Sequence, residues 1–288
     1  MAGTSNALAE LESIIGVKAV TEDVITASQI QRLNTTINRR DPMPKPGDPV
    51  PWGWHSIFFP RPMPSDKLLP DGMASEFEGA PDSPLPRRMY AGNDLRFFEP
   101  LRVGDEARKE IFVKSVTPKA GRSGKLIFVT YGVRILGPRG LVLEDDQNIV
   151  FRDAAPPGAT PPSEAARTGA SWKRVVTVNE TMLFRFSAVS WNPHRIHYDH
   201  PYVTQVEHYP ALVVHGPFTA VWLLELLREN WPDKAMRMSG FSMRAKAPLF
   251  ANRPITFYGE PAADEKSCAL WAADDRGALA MEINATFR

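Results

Sequence analysis

The sequence predicts an α+β protein in two halves, each with one long helix followed by a run of strands. Three observations lead to this prediction: apolar residues at helical spacing near the N-terminus, an apolar stretch that begins at Pro217, and strand-like segments that follow each of them. The chain has 288 residues, which allows one large domain or two of about 140 residues each. Either size can bury a substantial hydrophobic core.

The first helix is predicted over residues 22–39. Thr21 or Thr26 can cap it, because a threonine hydroxyl accepts a hydrogen bond from a backbone N–H of the first turn. The apolar stripe consists of Ile25, Ile30, Leu33 and Ile37. This spacing predicts a helix with one face turned toward a core.

Residues 41–86 are rich in proline. Proline fixes φ and lacks a backbone donor, so this stretch cannot be a regular helix or a central strand. It is too long for an ordinary connection, and the segment Trp52–Phe59 is too aromatic for a solvated linker. We therefore expect an ordered flap that covers a site or an interface.

Residues 89–152 carry the strand pattern of the first half. The strand-like segments are Lys109–Val116, Leu126–Val133 and Asn148–Arg152. The stretch Asp153–Ser163 then has the composition of a linker. It predicts a domain boundary, with one domain over residues 1–155 and a second over residues 165–288.

The second half opens with a strand at Trp172–Val178 and contains a helix from Pro217 to about Trp231. Proline suits the first position of a helix, and apolar residues around most of the circumference predict a core helix. Further strands are predicted at 237–247, 254–260, 267–273 and 278–287. Arg96–Leu101 corresponds to Arg244–Leu249, and both segments close a strand. The shared motif and order of elements indicate an internal repeat.

Composition excludes several classes of partner and location. The net charge is +1 and the pI is about 7.9, so no global field favours nucleic acid or an anionic membrane surface. Cys268 is the single cysteine, which rules out an internal disulfide and fits a reducing compartment. The sequence has no apolar run long enough for a transmembrane helix and no signal-peptide pattern at its start. We expect a cytoplasmic protein, and the sequence leaves a homo-oligomer open.

Most of the histidines fall in one stretch of the second half. Its members are His194, His197, His200, His208 and His215. The same stretch holds an amide, Asn192, and the step Gly216–Pro217 that opens the apolar helix. A base, an amide that can orient water and a helix N-terminus are the components of a site that moves a proton and stabilises an oxyanion.

Two segments of this stretch, Phe186–Asp199 and Tyr209–Pro217, resemble the MaoC-like hydratases and dehydratases. These are hot-dog proteins, in which an antiparallel sheet wraps a central helix. Pro84–Gly92 and Gly121–Val129 resemble the N-terminal half of a subgroup that has two hot-dog units in one chain. The resemblance implies a double hot dog, with two antiparallel sheets that each wrap a long central helix.

The resemblance also implies a reaction and a set of residues. The reaction is reversible hydration of a 2-enoyl-CoA thioester, in this subgroup a short branched dicarboxylyl-CoA such as mesaconyl-C4-CoA or itaconyl-CoA. Coenzyme A enters as part of the substrate, and neither a metal nor another cofactor is needed. His197 would be the base, Asn192 would orient water, and the backbone N–H of Gly216 would stabilise the thioester oxygen. The first half, which has no such pair of a histidine base and an amide, would form the scaffold and the acyl pocket.

One residue departs from the commoner family motif, which has an aspartate five residues before the histidine. Here that residue is Asn192, and an amide cannot act as a general base. The departure leaves the proton transfer to His197, whose ordinary pKa of roughly 6.5 suits a base at neutral pH.

Several cations are candidates for contacts to the phosphates of coenzyme A or to a substrate carboxylate. They are Arg195, Arg244, Lys246, Arg87 and Arg88. His215 precedes the oxyanion glycine and is a candidate for shaping the substrate site. Asp199 is expected to fix the loop through backbone N–H groups. The spacing of His194, His197, Asp199 and His200 suggests a metal site, but Pro193 argues against the continuous helix of a typical zinc motif.

Three other functions remain open on sequence grounds. A 3-hydroxyacyl dehydratase acting on carrier-protein thioesters would need a long apolar tunnel and a basic docking face. A non-catalytic thioester-binding module would not need Asn192, His197 and Gly216 together. A thioesterase on the same fold would call for a carboxylate near the thioester, and the sequence offers no strong candidate. Fold alone does not decide between them.

Overall fold

The structure is a computed structural model of the chain. It describes residues 2–74, 77, 83–85, 87–121, 124–153 and 163–288, with the side chains of 2–7, 87, 120, 121 and 124 left aside. The predicted linker therefore lies almost wholly outside the described residues, as does the end of the proline-rich segment.

The described residues form helices and strands in an order that repeats. The helices are α1 (Ala2–Ser13), α2 (Ala27–Thr36), α3 (Glu180–Ser190), α4 (His200–Gln205), α5 (Gly216–Asn230) and α6 (Pro232–Met236). The strands are β1 (Lys18–Val24), β2 (Arg87–Phe97), β3 (Glu106–Gly121), β4 (Gly124–Gly137), β5 (Gly140–Arg152), β6 (Trp172–Thr177), β7 (Met238–Ala245), β8 (Pro254–Pro261), β9 (Ser267–Ala273) and β10 (Leu279–Phe287). None of the described helices is both long and apolar enough to cross a membrane.

The strands make one antiparallel sheet in the order β1-β3-β4-β5-β2-β7-β10-β9-β8-β6. Read from its two edges, the sheet has the same connectivity in each half, with β6 to β10 in the places of β1 to β5. The internal repeat predicted from the sequence is therefore present. The two sheets of the prediction are joined edge to edge in the described residues, where β2 pairs with β7.

The repeated motif marks equivalent points of the two halves. β2 ends at Phe97 and β7 ends at Ala245. A few residues beyond, the carbonyls of Leu101 and Leu249 accept backbone hydrogen bonds from Val50 and Val214, each at 2.8 Å. Val50 and Val214 are therefore equivalent positions in the repeat.

Helix α5 is the wrapped helix of the second half, as predicted. It packs against β6, β8, β9 and β10, and every residue from Phe218 to Leu227 is buried. Such burial around the whole circumference explains why its apolar residues do not form a single stripe.

The prediction of a helix over residues 22–39 is only partly right. Its first residues belong to β1, whose side chains alternate between exposed and half-buried, and the helix is α2. The Thr26 hydroxyl caps α2 by accepting a hydrogen bond from the Gln29 N–H. A run of alternating side chains before a cap follows the strand period rather than the helix period.

Helix α2 is also not the wrapped helix of the first half. It follows β1 as α3 follows β6, and α2 and α3 pack against each other. The place of α5 is taken by a short 3-10 helix, Trp54–Ile57, which comes soon after Val50 as α5 comes soon after Val214. Neighbouring prolines limit this helix to about one turn, and Trp54 fills its core position with no exposed surface.

The two halves meet closely at this 3-10 helix. Gly53 has φ +87°, and a Cβ placed on it would lie 2.3 Å from Cδ1 of Leu224 on α5. Glu225 of α5 is buried, and its Oε2 is 2.7 Å from Nη1 of Arg39 and 2.9 Å from Nη2 of Arg228. Burial raises the pKa of Glu225, while Arg228 and Arg39 oppose the rise. The buried carboxylate thus ties α5 to the first half.

The junction of β2 with β7 depends on glycine, which gives a test of the joined sheet. A Cβ on Gly240 would lie 2.2 Å from the carbonyl oxygen of Leu95. We expect Gly240→Ala to lower the free energy of unfolding by about 1–3 kcal/mol, because the two strands would have to separate. Ser242, in the same strand, already has a Cβ, so Ser242→Ala should change the free energy of unfolding by less than about 0.5 kcal/mol. Urea unfolding of both variants measures this, and equal effects would contradict the close packing of the junction.

Candidate active site

The histidine stretch begins where α3 ends. Trp191 terminates α3 in the left-handed region with φ 53°, and the side-chain oxygen of Asn192 accepts a hydrogen bond from the His194 N–H at 3.0 Å. A short 3-10 helix, Arg195–His197, follows. The chain therefore turns sharply at Pro193, and the histidines do not share one helical face, as the proline predicted.

His197 is held in one orientation by the backbone. It is buried, with 6% of its surface exposed, and its Nδ1 lies 2.8 Å from the carbonyl oxygen of Val213. A carbonyl can only accept, so Nδ1 carries the proton and Nε2 keeps its lone pair. Among the described residues, none forms a hydrogen bond to Nε2 of His197.

The environment keeps this imidazole neutral. Burial lowers the pKa of His197 to about 3, the Val213 carbonyl opposes the shift, and His194 adds to it. The sequence predicted a histidine with an ordinary pKa. The difference arises because an uncompensated positive charge is costly away from water. His197 is therefore in the form that can accept a proton throughout the neutral pH range.

His215 lies directly against His197. The two rings stack with centroids 3.5 Å apart, and Nε2 of His215 is 2.8 Å from the hydroxyl of Ser187 on α3. His215 has no exposed surface, and burial, followed by the charges of His197 and His194, lowers its pKa well below the usual value. His215 therefore packs against the ring of His197, and the contact with Ser187 was not predicted.

Gly216 is the first residue of α5, and it follows His215 directly. No side chain caps this helix, so its first N–H groups and the positive end of its dipole are available to an anionic oxygen. A Cβ on Gly216 would meet Cδ1 of Tyr90 at 3.7 Å and Cε of Met281 at 3.9 Å. Because the ligand-free fold would tolerate that Cβ, the absence of a side chain leaves room for close approach to the backbone.

Tyr90 brings the first half into the site. It lies on β2, in the Pro84–Gly92 segment that resembles the family, but no sequence pattern selects it. Burial raises the pKa of Tyr90 well above its usual value, and the charges of Asp145 and Asp94 raise it further. The phenol therefore keeps its proton at neutral pH, and its ring lies beside the N-terminus of α5.

Arg195 is engaged within the protein. Its Nε and Nη2 bond Oδ2 of Asp199 at 2.9 and 2.8 Å, and its Nη1 bonds the carbonyl of Pro70 at 3.0 Å. Asp199 also caps α4 by accepting from the Tyr202 N–H at 3.1 Å, which confirms its predicted role in fixing the loop. A contact of Arg195 with coenzyme A stays a prediction, and it would have to share these donors.

Residues 70–72 of the proline-rich segment contact the histidine stretch, and the role of the whole segment as a flap stays a prediction. The Arg195 N–H donates to the carbonyl of Asp71 at 2.8 Å, and Oδ2 of Asp71 lies 3.9 Å from Nε2 of His194. A Cβ on Gly72, which has φ +89°, would lie 2.4 Å from the Pro193 carbonyl. The flap and the loop therefore touch backbone to backbone.

The structure places two of the remaining predicted cations next to acidic side chains, and the contacts of all of them with coenzyme A stay predictions. Arg244 lies 3.2 Å from Asp94, and Lys246 lies within 3.5 Å of both Glu164 and Glu282. Arg88 has a partner within the protein, and the side chain of Arg87 lies outside the described residues. His200 and His208 are exposed. Within the described residues, no three His, Cys, Asp or Glu side chains are grouped to hold a metal ion.

The chain matches the family model for hydroxyacyl-thioester dehydratase type 2 over residues 53–251. The matched residues are more than half of the chain and include β2, the histidine stretch and α5. The chain belongs to this family, and its reaction class is therefore that of a carbon–oxygen lyase.

Individual relatives agree with this assignment. The chain is 38% identical over 270 residues to the mesaconyl-C(4)-CoA hydratase of Chloroflexus aurantiacus, covering 93% of this chain and 95% of the relative. A solved MaoC-like dehydratase superposes with a TM-score of 0.71 at 12% identity, covering 96% of this chain and 99% of the other. A Mycobacterium tuberculosis protein with a double hot-dog fold gives 0.58 at 13% identity, covering 93% and 95%. The predicted double hot dog is confirmed.

Asn192 can be tested by removing its amide in two ways. Asn192→Asp keeps an oxygen for the His194 N–H, whereas Asn192→Ala loses it. If Asn192 orients the attacking water, as its place in the motif predicts, Asn192→Ala should lower kcat by about 10-fold or more with a smaller effect on KM, because a contact made mainly in the transition state affects rate more than affinity. Asn192→Asp should retain activity, and its carboxylate should raise the pKa of His197.

The measurement is kcat/KM against pH for the wild type and both variants. The acidic limb should move to higher pH in Asn192→Asp. An unchanged rate in Asn192→Ala would remove Asn192 from the mechanism.

Proposed function

We propose that this protein catalyses reversible hydration and dehydration of a 2-enoyl-CoA and 3-hydroxyacyl-CoA pair. One observation carries the proposal: His197, a neutral base whose Nε2 has no hydrogen-bond partner among the described residues, stacks on His215, and the next residue opens the uncapped helix α5. The base therefore stacks on the residue that directly precedes the N-terminus of α5, where an oxyanion can be stabilised. This is the pair of groups that addition of water to a conjugated thioester needs.

The steps follow from this geometry. The thioester oxygen receives a hydrogen bond from the Gly216 N–H at the positive end of α5. Nε2 of His197 takes a proton from water while the water oxygen bonds to the β-carbon. The electrons of the double bond move onto the thioester oxygen, and the enolate is held by the helix. The imidazolium then returns its proton to the α-carbon, and dehydration is the reverse.

Each half has its own part in this proposal. Residues 165–288 supply Asn192, His197 and Gly216. Residues 1–155 serve as scaffold and acyl pocket, which Tyr90 beside Gly216 supports. The proposed steps involve only proton transfer and stabilisation of an oxyanion, which these residues supply themselves. Coenzyme A is then part of the substrate.

The acyl group is proposed to be a short branched dicarboxylyl group, as in mesaconyl-C4-CoA or itaconyl-CoA. The support is the 38% identity to a mesaconyl-C(4)-CoA hydratase across nearly the whole of both chains. Contacts of Asp71 and Gly72 with the histidine loop agree with this choice, because a segment packed there would favour a short acyl group.

Replacement of His197 tests the mechanism. We expect His197→Ala to lower kcat at least about 10²-fold, the usual effect of a lost general base, while the protein stays folded. His208→Ala is the matched control, because His208 is exposed and lies in the same stretch. The assay follows loss of the conjugated thioester absorbance with enoyl-CoA, dicarboxylyl-CoA and carrier-protein substrates.

A folded His197→Ala that hydrates at the wild-type rate would overturn the assignment. Preference for the carrier-protein thioester would favour the dehydratase of fatty-acid or polyketide synthesis. EDTA should leave the wild-type rate unchanged, and inhibition that zinc reverses would restore the metal interpretation of the histidines.

A further inference from the structure

His215 carries a buried nitrogen that no step of the proposed mechanism uses. The side chain has no exposed surface, and its Nδ1 has no hydrogen-bond partner among the described residues. Buried polar atoms in folded proteins almost always have a partner, so such an exception calls for an explanation. What Nδ1 can bind depends on whether it carries the ring proton, because a protonated nitrogen donates and an unprotonated one accepts.

The hydroxyl of Ser187 decides where the proton of His215 lies. Nε2 of His215 is 2.8 Å from this hydroxyl. Ser190, three residues along α3, donates its hydroxyl proton to the carbonyl of Phe186 at 2.6 Å, a common bond of serine in a helix. Among the described residues, the Ser187 hydroxyl has Nε2 of His215 as its single partner. The acceptor for the Ser187 proton is therefore this nitrogen.

The proton of a neutral His215 is then on Nδ1. Burial lowers the pKa of His215 well below its usual value, and the charges of His197 and His194 lower it further, so the ring carries one proton at neutral pH. With Nε2 accepting from Ser187, that proton is on Nδ1. The reverse arrangement would leave both the Ser187 proton and Nδ1 unpaired, which costs more. His215 thus presents a buried N–H donor that lacks an acceptor.

The position of this donor points to a particular acceptor. His215 directly precedes Gly216, whose N–H begins the uncapped helix α5. Covalent geometry keeps Nδ1 within about 6 Å of the Gly216 nitrogen. Two donors that each bond one oxygen at about 2.9 Å can lie up to about 5.8 Å apart, so the two N–H groups can share an acceptor. In the proposed function that acceptor is the thioester oxygen, which becomes negatively charged in the enolate.

We propose that the Nδ1–H of His215 is the second donor to the thioester oxygen, beside the backbone N–H of Gly216. Ser187 is then a positioning residue, because its hydroxyl holds the proton of His215 on Nδ1. This inference rests on the proposed function, since that function places the thioester at Gly216. Two preorganised donors at one oxygen stabilise the negative charge that develops there in the transition state.

The two stacked histidines have complementary roles in this arrangement. Their ring centroids are 3.5 Å apart, but opposite nitrogens are engaged with the protein. Nδ1 of His197 donates to the carbonyl of Val213, which leaves the lone pair of Nε2 for the attacking water. Nε2 of His215 accepts from Ser187, which leaves the Nδ1–H for the thioester. The acceptor for the water proton and the donor to the thioester oxygen therefore lie side by side.

Two replacements of His215 separate the donor role from packing. The amide nitrogen of asparagine lies near the position of Nδ1, whereas that of glutamine lies near the position of Nε2. We expect His215→Gln to lower kcat by about 10²-fold or more and His215→Asn by less than about 10-fold, because the loss of one oxyanion donor costs about 10²- to 10³-fold. KM should change less than kcat in both variants. If His215 only packed against His197, the larger glutamine would be the better replacement.

The carbonyl of a bound thioester reports these hydrogen bonds directly. Butyryl-CoA, labelled with carbon-13 at the thioester carbonyl, is the probe because it has no double bond to hydrate. Hydrogen bonds to a carbonyl lower its stretching frequency, so its infrared band should move to lower frequency on binding to the wild type. The shift should be smaller in His215→Gln than in His215→Asn.

Ser187→Ala tests the positioning role. Without the hydroxyl, the proton of His215 is no longer held on Nδ1, so kcat should fall by about 3- to 10-fold. Ser190→Ala is the matched control, because its hydroxyl bonds within α3, and it should leave kcat within about 2-fold. Nitrogen-15 NMR should show a protonated Nδ1 of His215 in the wild type and in Ser190→Ala, and a mixture of tautomers in Ser187→Ala.

Several outcomes would overturn the donor role while the hydratase function stands. They are a wild-type His215 with its proton on Nε2, equal losses of kcat in His215→Gln and His215→Asn, or a carbonyl band that neither variant changes, each with crotonyl-CoA or mesaconyl-C4-CoA still hydrated by the wild type. Should both His215 variants fail to fold, the tautomer in the wild type and the effect of Ser187→Ala decide.

The opposite separation is also measurable. A wild type that hydrates neither thioester, yet lowers the butyryl-CoA band through His215, would overturn the hydratase function and leave the donor in place. If it hydrates neither thioester and the band does not move, both are wrong.

Discussion

Three residues just before α5, Leu212–Val214, hold the candidate site together through their backbone. The Val213 N–H donates to Ile196 in the histidine loop at 3.0 Å, while the carbonyl of Val213 accepts from Nδ1 of His197 at 2.8 Å. On the other side, Val214 donates to the carbonyl of Leu249 at 2.8 Å. The loop, the sheet and the start of α5 are therefore bonded to one short segment. Because these bonds come from the backbone, side-chain changes elsewhere disturb them little.

The two halves of the repeat differ most in the helix that follows the equivalent valines. The equivalent of Val214 is Val50, and the chain after Val50 forms one turn of 3-10 helix where the second half has all of α5. A single turn has no N-terminal dipole comparable to that of a 15-residue helix. The first half instead places Tyr90 beside Gly216 and carries two buried polar side chains, Asn93 on β2 and Asp145 on β5. The N-terminus of α5 from the second half and Tyr90 from the first half thus lie together, near the edge where β2 pairs with β7.

Much of this could be predicted from sequence, and the reasons are local. The sequence carries patterns that can be recognised within short windows. They are the strand periods, the proline at the start of α5, and the similarity of Arg96–Leu101 to Arg244–Leu249. The proximity of Asn192, His197 and Gly216 in sequence was visible for the same reason, and their joint role stays a prediction. The wrapped helix of the first half was misassigned, because α2 has the stronger apolar stripe and the 3-10 helix is too short to give a period. Tyr90, Ser187 and Val213 carry no local signal, since their positions depend on strand pairing and on the approach of distant segments.

Burial and the Val213 carbonyl together keep His197 neutral, with its proton on Nδ1 and its lone pair on Nε2. Nitrogen-15 NMR of the histidine side chains, assigned with a His197→Gln variant, reads both the tautomer and the titration of this ring. We expect His197 to show a protonated Nδ1 and an unprotonated Nε2 from pH 8 down to pH 5, because its pKa is lowered to about 3. A ring with its proton on Nε2, or one that titrates near pH 6.5, would show that the Val213 carbonyl and burial do not hold His197 in this form.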